Sequence, residues 1–441
     1  MEFFHNLQKR SLVWDTITTT WWSSLGRAIG LLIPFFIAAW FGVTSETDAF
    51  FFAYGLILFL SGIFAPVVEN IIVPYIAEAK TKNEDVGRFV GKILGVTGGG
   101  LFAFAGIFLL IMKPILSLMT DFDLESLNLV YHLTIEIAPL IILLTWTSIL
   151  AGTLNAHKRF ALPALSPAFR AIANLIIIFF LKDKFGVHSV ALGYIGGEIV
   201  RLVILVIVIK KLNLFRLRLS FQIDNRLRDF INTASYQTIG MAAVGLNPII
   251  DKTMASWLDA GSVSILHYAD RLYMIPITFM STGLMVTILS HWSSRYYESG
   301  IQRLKADVKK TIKVVAPATL AIALVLISLH QPIVKFFFGR GEFNQTKLPE
   351  VGWVWVCYLL GVLPYTIGKI FVQAHLTLKN TRALMQNAFY LVILKITLNF
   401  ILMKPLRVAG LALATSLTSL FTILYLGILF YIESKSKEST L

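Results

Sequence analysis

The sequence predicts an all-α integral membrane protein of about 12 transmembrane helices, arranged as two six-helix bundles related as parallel repeats. Three observations predict it. Of 441 residues, 56% are hydrophobic and only 15% charged, and the mean hydropathy is +0.73. A soluble chain is nearer 45–50% apolar and about 25% charged. Twelve apolar stretches approach the ~20 residues that a bilayer core requires, and basic residues are dense in alternate loops.

The stretches fall at 17–42, 48–76, 89–112, 128–154, 166–181, 189–209, 229–256, 263–290, 311–330, 351–376, 383–403 and 407–432, the fifth being the shortest. Closed barrels also satisfy the backbone in lipid, but their strands alternate polar and apolar residues. LVILVIVI (202–209) does not alternate, which favours helices. With the N-terminus in the cytoplasm, 24 Lys and Arg lie on the inner side and 8 on the outer. The positive-inside rule therefore places both termini inside. The formal net charge of +14 reads as basic cytoplasmic loops rather than a nucleic-acid surface. The single cysteine, Cys357, excludes an intramolecular disulfide and a multi-cysteine metal site. No signal-peptide pattern is read in MEFFHNLQKRSLVWDTITTT.

The chain also reads as duplicated. Residues 161–193, ALPALSPAFRAIANLIIIFFLKDKFGVHSVALG, echo ALMQNAFYLVILKITLNFILMKPLRVAGLALA (383–414), and Ala161 to Lys182 matches Ala383 to Lys404 at 21 residues each. Helices five and six thus correspond to eleven and twelve. An N-terminal lobe at 1–209, a basic linker at 210–228 and a C-terminal lobe at 229–441 follow. Two-lobed transporters hold their substrate between such repeats.

Seven basic residues lie in or near the spans: Arg27, Arg170, Arg201, Lys252, Arg271, Lys369 and Lys395. The acids there are Asp48, Glu69, Glu136, Glu198, Asp251 and Asp270. A mid-bilayer charge costs ~2.5–3.5 kcal/mol on insertion scales, so it faces a cavity or a partner. Asp48, Asp270 and Arg271 are expected near outer helix ends, and Arg170 near an inner end where it can snorkel. Glu198 and Arg201, three apart, are expected to pair. Arg27, Glu69, Glu136, Lys369 and Lys395 have no such relief, which leaves a hydrated cavity or an interhelical pair. Pro34, Pro66, Pro139, Pro248, Pro276 and Pro364 predict bends, and Gly98–Gly100 close packing. Walker, HExxH and GxSxG motifs are missing from the sequence, so it is read as no enzyme.

Five segments carry a family resemblance: TDAFFFAYGLILFL (47–60), VPYIAEAK (73–80), GTLNAHKRFALPALSP (152–167), SWLDAGSVSILHYADRLYMIP (256–276) and FFFGRGEF (336–343). They resemble the MviN/MurJ lipid II flippases of the multidrug/oligosaccharidyl-lipid/polysaccharide exporter superfamily, from about residue 20 to 430. The resemblance implies two bundles around a central cavity, in the bacterial cytoplasmic membrane. It implies alternating access that turns a polyprenyl (undecaprenyl) pyrophosphate-linked glycan from the inner to the outer leaflet. Arginine recognises pyrophosphate with a bidentate fork. Arg27 matches the first family arginine of helix one, and Arg271 the helix-eight arginine. Asp48 matches the aspartate after helix one.

Lys252 and Lys369 are further expected cargo contacts, with Asp48, Glu69, Glu136 and Asp270 as gating or coupling groups. No cofactor is expected; membrane potential, H⁺ or Na⁺ are candidate energy sources. The chain is expected to act as a monomer among membrane lipids, with a glycan polymerase or assembly machinery as a candidate partner. Departures from the pattern point away from lipid II itself: Ile33 and Pro34 in helix one, Ser61–Gly62 and Pro66 in helix two, and no counterpart of the family's C-terminal helix pair. Three alternatives stand beside this reading. One is a cation-coupled exporter using Glu69 or Glu136. The others are a membrane enzyme or a scaffold acting on the same lipids.

Overall fold

The computed structural model describes residues 12–82, 84–214, 220–282 and 284–439. Helices account for nearly all of it. They are α1 (Leu12–Phe41), α2 (Ser45–Thr81), α3 (Val86–Met119), α4 (Leu124–Ile137), α5 (Pro139–Ala156), α6 (Ala161–Phe185) and α7 (His188–Lys211). Then come α8 (Asn225–Gly245), α9 (Asn247–Ala255), α10 (Ser262–Thr282), α11 (Leu284–Ser328), α12 (His330–Phe338), α13 (Leu348–Leu359), α14 (Val362–Thr377), α15 (Thr381–Leu406) and α16 (Val408–Ser439). Each of the twelve apolar stretches is helical over most of its described residues, with short turns within or at the ends of several. Among the described residues nine helical runs are long and apolar enough to cross a membrane.

Proline explains where the longer stretches break. Pro139 opens α5, Pro248 lies at the start of α9 and Pro364 in the first turn of α14, each just past the end of a helix. A proline has no N–H to donate and is tolerated in a helix's first turn. Pro34, Pro66 and Pro276 stay inside continuous helices. α11 is broken at Gly300, whose φ of 72° only glycine adopts freely. That break separates the eighth and ninth stretches. Leu110 and Leu118 are 80% and 88% exposed, which hydrocarbon, not water, accommodates.

Two compact units form. One holds the chain up to Ile37 together with Ala49–Gly245; the other holds Ala38–Asp48 and Leu246–Leu441. The first has a core of α2, α3, α5, α7 and α8, with Ile72, Ile76, Val90, Ile93, Leu154, Ile209 and Phe230 buried. Basic linker residues pack here too: the Arg226 guanidinium lies over Phe89 and donates to the Tyr75 carbonyl at 2.6 Å. Lys92 reaches Asp224 at 2.5 Å. The second unit has a core of Trp292, Leu304, Ile370, Ala374 and Phe430.

The repeat has a backbone signature. Lys158 and Lys379 share a φ of 57°, and Gly186 and Arg407 have φ of 51° and 52°, each pair 221 positions apart. The turn geometry therefore shifts by one residue the register read from the apolar sequence, where Ala161 aligned with Ala383. The fifth stretch is also longer than read, since α6 begins at Ala161.

Small residues let helices touch where lipid gives no hydrophobic drive for association. A Cβ at Gly197 would lie 2.6 Å from the Arg170 carbonyl oxygen across the α6–α7 contact, whereas one at Gly100 meets nothing within 4 Å. Gly197→Ala is expected to lower the melting temperature in detergent, through overpacking of about 1–3 kcal/mol. Gly100→Ala is expected to leave it unchanged or raise it. Equal melting of the two variants contradicts the packing account.

Candidate functional site

The segment Ala38–Asp48 belongs to the second unit, and a set of polar contacts holds it there. The Glu342 N–H donates to the Ala39 carbonyl at 2.9 Å. The Tyr268 hydroxyl donates to the Gly42 carbonyl at 2.9 Å. A Cβ at Gly341 would collide with the Ala39 carbonyl, and its φ is 63°. Asp48 is buried and accepts from the N–H groups of Gly261 at 2.6 Å and Ser264 at 2.7 Å, while Thr47 accepts from the Ser264 hydroxyl at 2.9 Å. Asp48 thus caps the N-terminus of α10, where orphan N–H groups and the helix dipole favour a carboxylate. The sequence reading gave Asp48 a gating role; here its oxygens are committed to a cap. Asp48→Ala is expected to destabilise the protein by about 0.5–2 kcal/mol, the usual worth of such a cap, read as a lower melting temperature. Exposed Glu46→Ala serves as the neutral control, and equal melting of the two would remove the cap from the account.

The same α10 carries Asp270 and Arg271. Beside it, α9 presents Asp251 and Lys252 in different directions, as adjacent helical residues must. Asp251 faces inward: the Lys395 ammonium lies 3.0 Å from its carboxylate and the Asn399 amide donates to it at 2.8 Å. Lys395 also donates to the Thr415 hydroxyl and to the Leu411 carbonyl at 3.3 Å. This buried lysine is an internal counter-charge. Lys252 instead lies within electrostatic reach of Arg271 and Asp270. Arg271 and Asp270 are 4.0 Å apart and both partly exposed. The Arg271 Nε is buried without a hydrogen-bond partner among the described residues. Next to them Tyr273 stacks on Tyr358 with centroids 5.1 Å apart, and Lys369 sits 5.2 Å over the Tyr365 ring. Lys252, Asp270 and Arg271 therefore form one cluster of two bases and one acid, with Lys369 on a neighbouring aromatic wall.

The other candidates lie in the first unit. Arg27 is on α1; its side chain lies outside the described residues. Glu69, half-buried on α2, is acted on by Arg201 and the Ser148 hydroxyl. Glu136 pairs with His188 Nδ1 at 2.8 Å, a partner that sequence reasoning missed because it lies 52 residues away. Glu198 is fully buried and pairs with Arg201 at 3.1 Å, as expected from their spacing. It also pairs with Arg170 at 3.3 Å and accepts from the Thr147 hydroxyl at 2.5 Å. Arg170 turns to Glu198 instead, from a position nine residues into α6, roughly 14 Å along the axis at 1.5 Å per residue.

Long apolar helices with ion clusters buried among them define a multi-pass membrane protein. Solved structures share the fold: "Lipid II flippase MurJ, inward closed conformation" is similar at a TM-score of 0.79, with 24% identity over 96% of this chain and 87% of that one. An inward-facing multidrug resistance MATE family transporter of the MOP superfamily reaches a TM-score of 0.79 at 11% identity, covering 95% of each. The family profile described as "Lipid II flippase MurJ" matches residues 37–439, so the chain belongs to the MurJ family of the bacterial inner membrane. Among curated relatives, the "Probable lipid II flippase MurJ" of Rickettsia prowazekii (strain Madrid E) is 25% identical, over 94% of this chain and 82% of the relative. That of Aquifex aeolicus (strain VF5) is 24% identical, over 91% and 80%.

Proposed function

We propose that this chain turns a polyprenyl-pyrophosphate-linked oligosaccharide from the inner to the outer leaflet by alternating access. One observation carries the cargo assignment: the cluster of Lys252, Arg271 and Asp270 inside a lipid-spanning unit. Two bases against one acid favour an incoming anion, and Arg271 keeps an unused buried donor. Pyrophosphate is a dense anion that a guanidinium matches with paired hydrogen bonds. The polyprenyl tail stays in the bilayer while the head passes the cluster. Asp270 holds Arg271 between cargoes and yields to the phosphate oxygens, which prevents the site from trapping its cargo. Lys369 supplies a further cation to the sugar-proximal part of the head.

Both termini lie in the cytoplasm on this reading, which the excess of basic inner loops supports. Membrane potential is worth about 2.3 kcal/mol per charge per 100 mV, enough to bias the return of the empty carrier. Lipid II stands among the cargoes: the curated relatives carry that name, and the residues at Ile33, Pro34, Ser61, Gly62 and Pro66 do not exclude it.

The test is leaflet transfer in proteoliposomes, with a synthetic undecaprenyl-pyrophosphate disaccharide scored by protection from an external glycosidase. Arg271→Gln and Lys252→Met are each expected to slow transfer tenfold or more without changing the melting temperature. Wild-type rates in both variants would overturn the assignment.

A further inference from the structure

We infer that Arg170 is a second contact for the anionic head group, built into the first unit and positioned by the buried carboxylate of Glu198. The inference rests on the flippase reading above. It starts from where Arg170 points. Ser166, Arg170 and Asn174 are spaced by four residues and so share one face of α6. Ser166 and Asn174 are fully buried. The lipid-exposed residues of the same helix, Phe169, Ile172, Ile176 and Phe180, lie on other faces. Arg170 thus points into the unit, yet its side chain stays 30% exposed. That exposure therefore lies away from the lipid-exposed residues of the helix. The depth supports this. A guanidinium roughly 14 Å along the helix would meet hydrocarbon at a cost of ~2.5–3.5 kcal/mol if it faced the tails.

Its surroundings are those of an anion site. Glu198 accepts from Arg170 Nη1 at 3.3 Å, and no other hydrogen bond to this guanidinium forms among the described residues. Arginine carries five N–H donors in a planar fork, so one edge is held while the other remains available. Arg201 lies between Glu198 and Glu69. Two acids and two arginines are therefore balanced before cargo arrives, and the guanidinium is held in place rather than collapsing onto lipid. Tyr54 and Tyr194 flank it, with ring centroids 4.3 Å apart. One turn on, both amide atoms of the buried Asn174 lack hydrogen-bond partners among the described residues. Finally, α1 crosses α6 one turn before Arg170: a Cβ at Gly26 would lie 2.9 Å from the Ala164 carbonyl oxygen and 3.6 Å from the Ala168 nitrogen. The residue after Gly26 is Arg27, whose side chain lies outside the described residues.

A buried ion pair is seldom kept for stability, because desolvation offsets the attraction. Glu198 is here a positioning residue, and the contact is Arg170. The experiment is titration of the full chain in nanodiscs with undecaprenyl pyrophosphate, and with neutral undecaprenol as the control, read by native mass spectrometry. Arg170→Gln is expected to weaken undecaprenyl pyrophosphate tenfold or more and to leave undecaprenol unchanged, with Arg170→Lys in between. The double variant Arg170→Gln/Glu198→Gln is expected to melt like wild type and still bind weakly. Wild-type affinity in Arg170→Gln would overturn the inference. So would recovery of binding in the double variant, because Arg170 would then be only the counter-ion of Glu198. Failure of the wild type to prefer the pyrophosphate would overturn the flippase reading and this inference with it. Loss of binding in Arg271→Gln but not in Arg170→Gln would overturn this inference alone.

Discussion

Hydrocarbon cannot solvate an ionised side chain, and the arrangement of this protein follows from that constraint. Apolar helices gain little by leaving lipid for one another, so polar contacts and small residues decide which helices meet. In the first unit Glu198, Arg201, Arg170, Thr147 and Ser166 join α5, α6 and α7. In the second, Asp251, Lys395, Asn399 and Thr415 join α9, α15 and α16. Each cluster neutralises its buried charge internally. On the proposed reading an anionic head group binds where bases outnumber acids, at Lys252 and Arg271 against Asp270, and at the edge of Arg170 that Glu198 does not hold.

A second consequence concerns the segments that carry the family pattern. Thr47–Asp48 of TDAFF, the SVSILHY stretch of α10 and the FGRGEF loop converge on Ala38–Asp48. Tyr268, Phe338 and Phe343 pack together there, with centroids 5.2 to 5.9 Å apart. Much of the motif content therefore encodes the anchoring of one crossing segment. Only the Asp270–Arg271 end of that α10 motif belongs to the proposed cargo site. A motif marks the family strongly while most of its residues serve the fold.

Hydropathy made the helices legible, because each crosses the same thickness of hydrocarbon. Spacing on a single helix revealed the Glu198–Arg201 pair for the same reason: the 3.6-residue period is local. Partners on different helices were not legible. Asp251 finds Lys395 only through the packing of α9 on α15, and Glu136 finds His188 only across the α4–α7 contact. Arg170 was sent to the surface because the apolar run begins at 166, whereas the helix begins at Ala161. Five residues of helix separate a snorkelling arginine from a buried one. The capping role of Asp48, expected as a gating or coupling group, is not legible because capping rules look a few residues downstream, and the helix it caps begins 214 residues away.

The central claim is that a pyrophosphate-linked lipid is the cargo. Native mass spectrometry of the protein, purified in mild detergent from its own host, tests it most directly. The account predicts a co-purifying mass equal to undecaprenyl pyrophosphate plus sugars, lost in Arg271→Ala, and that mass names the glycan. Ordinary phospholipid alone, in wild type and variant alike, would contradict it and turn attention to small-molecule export.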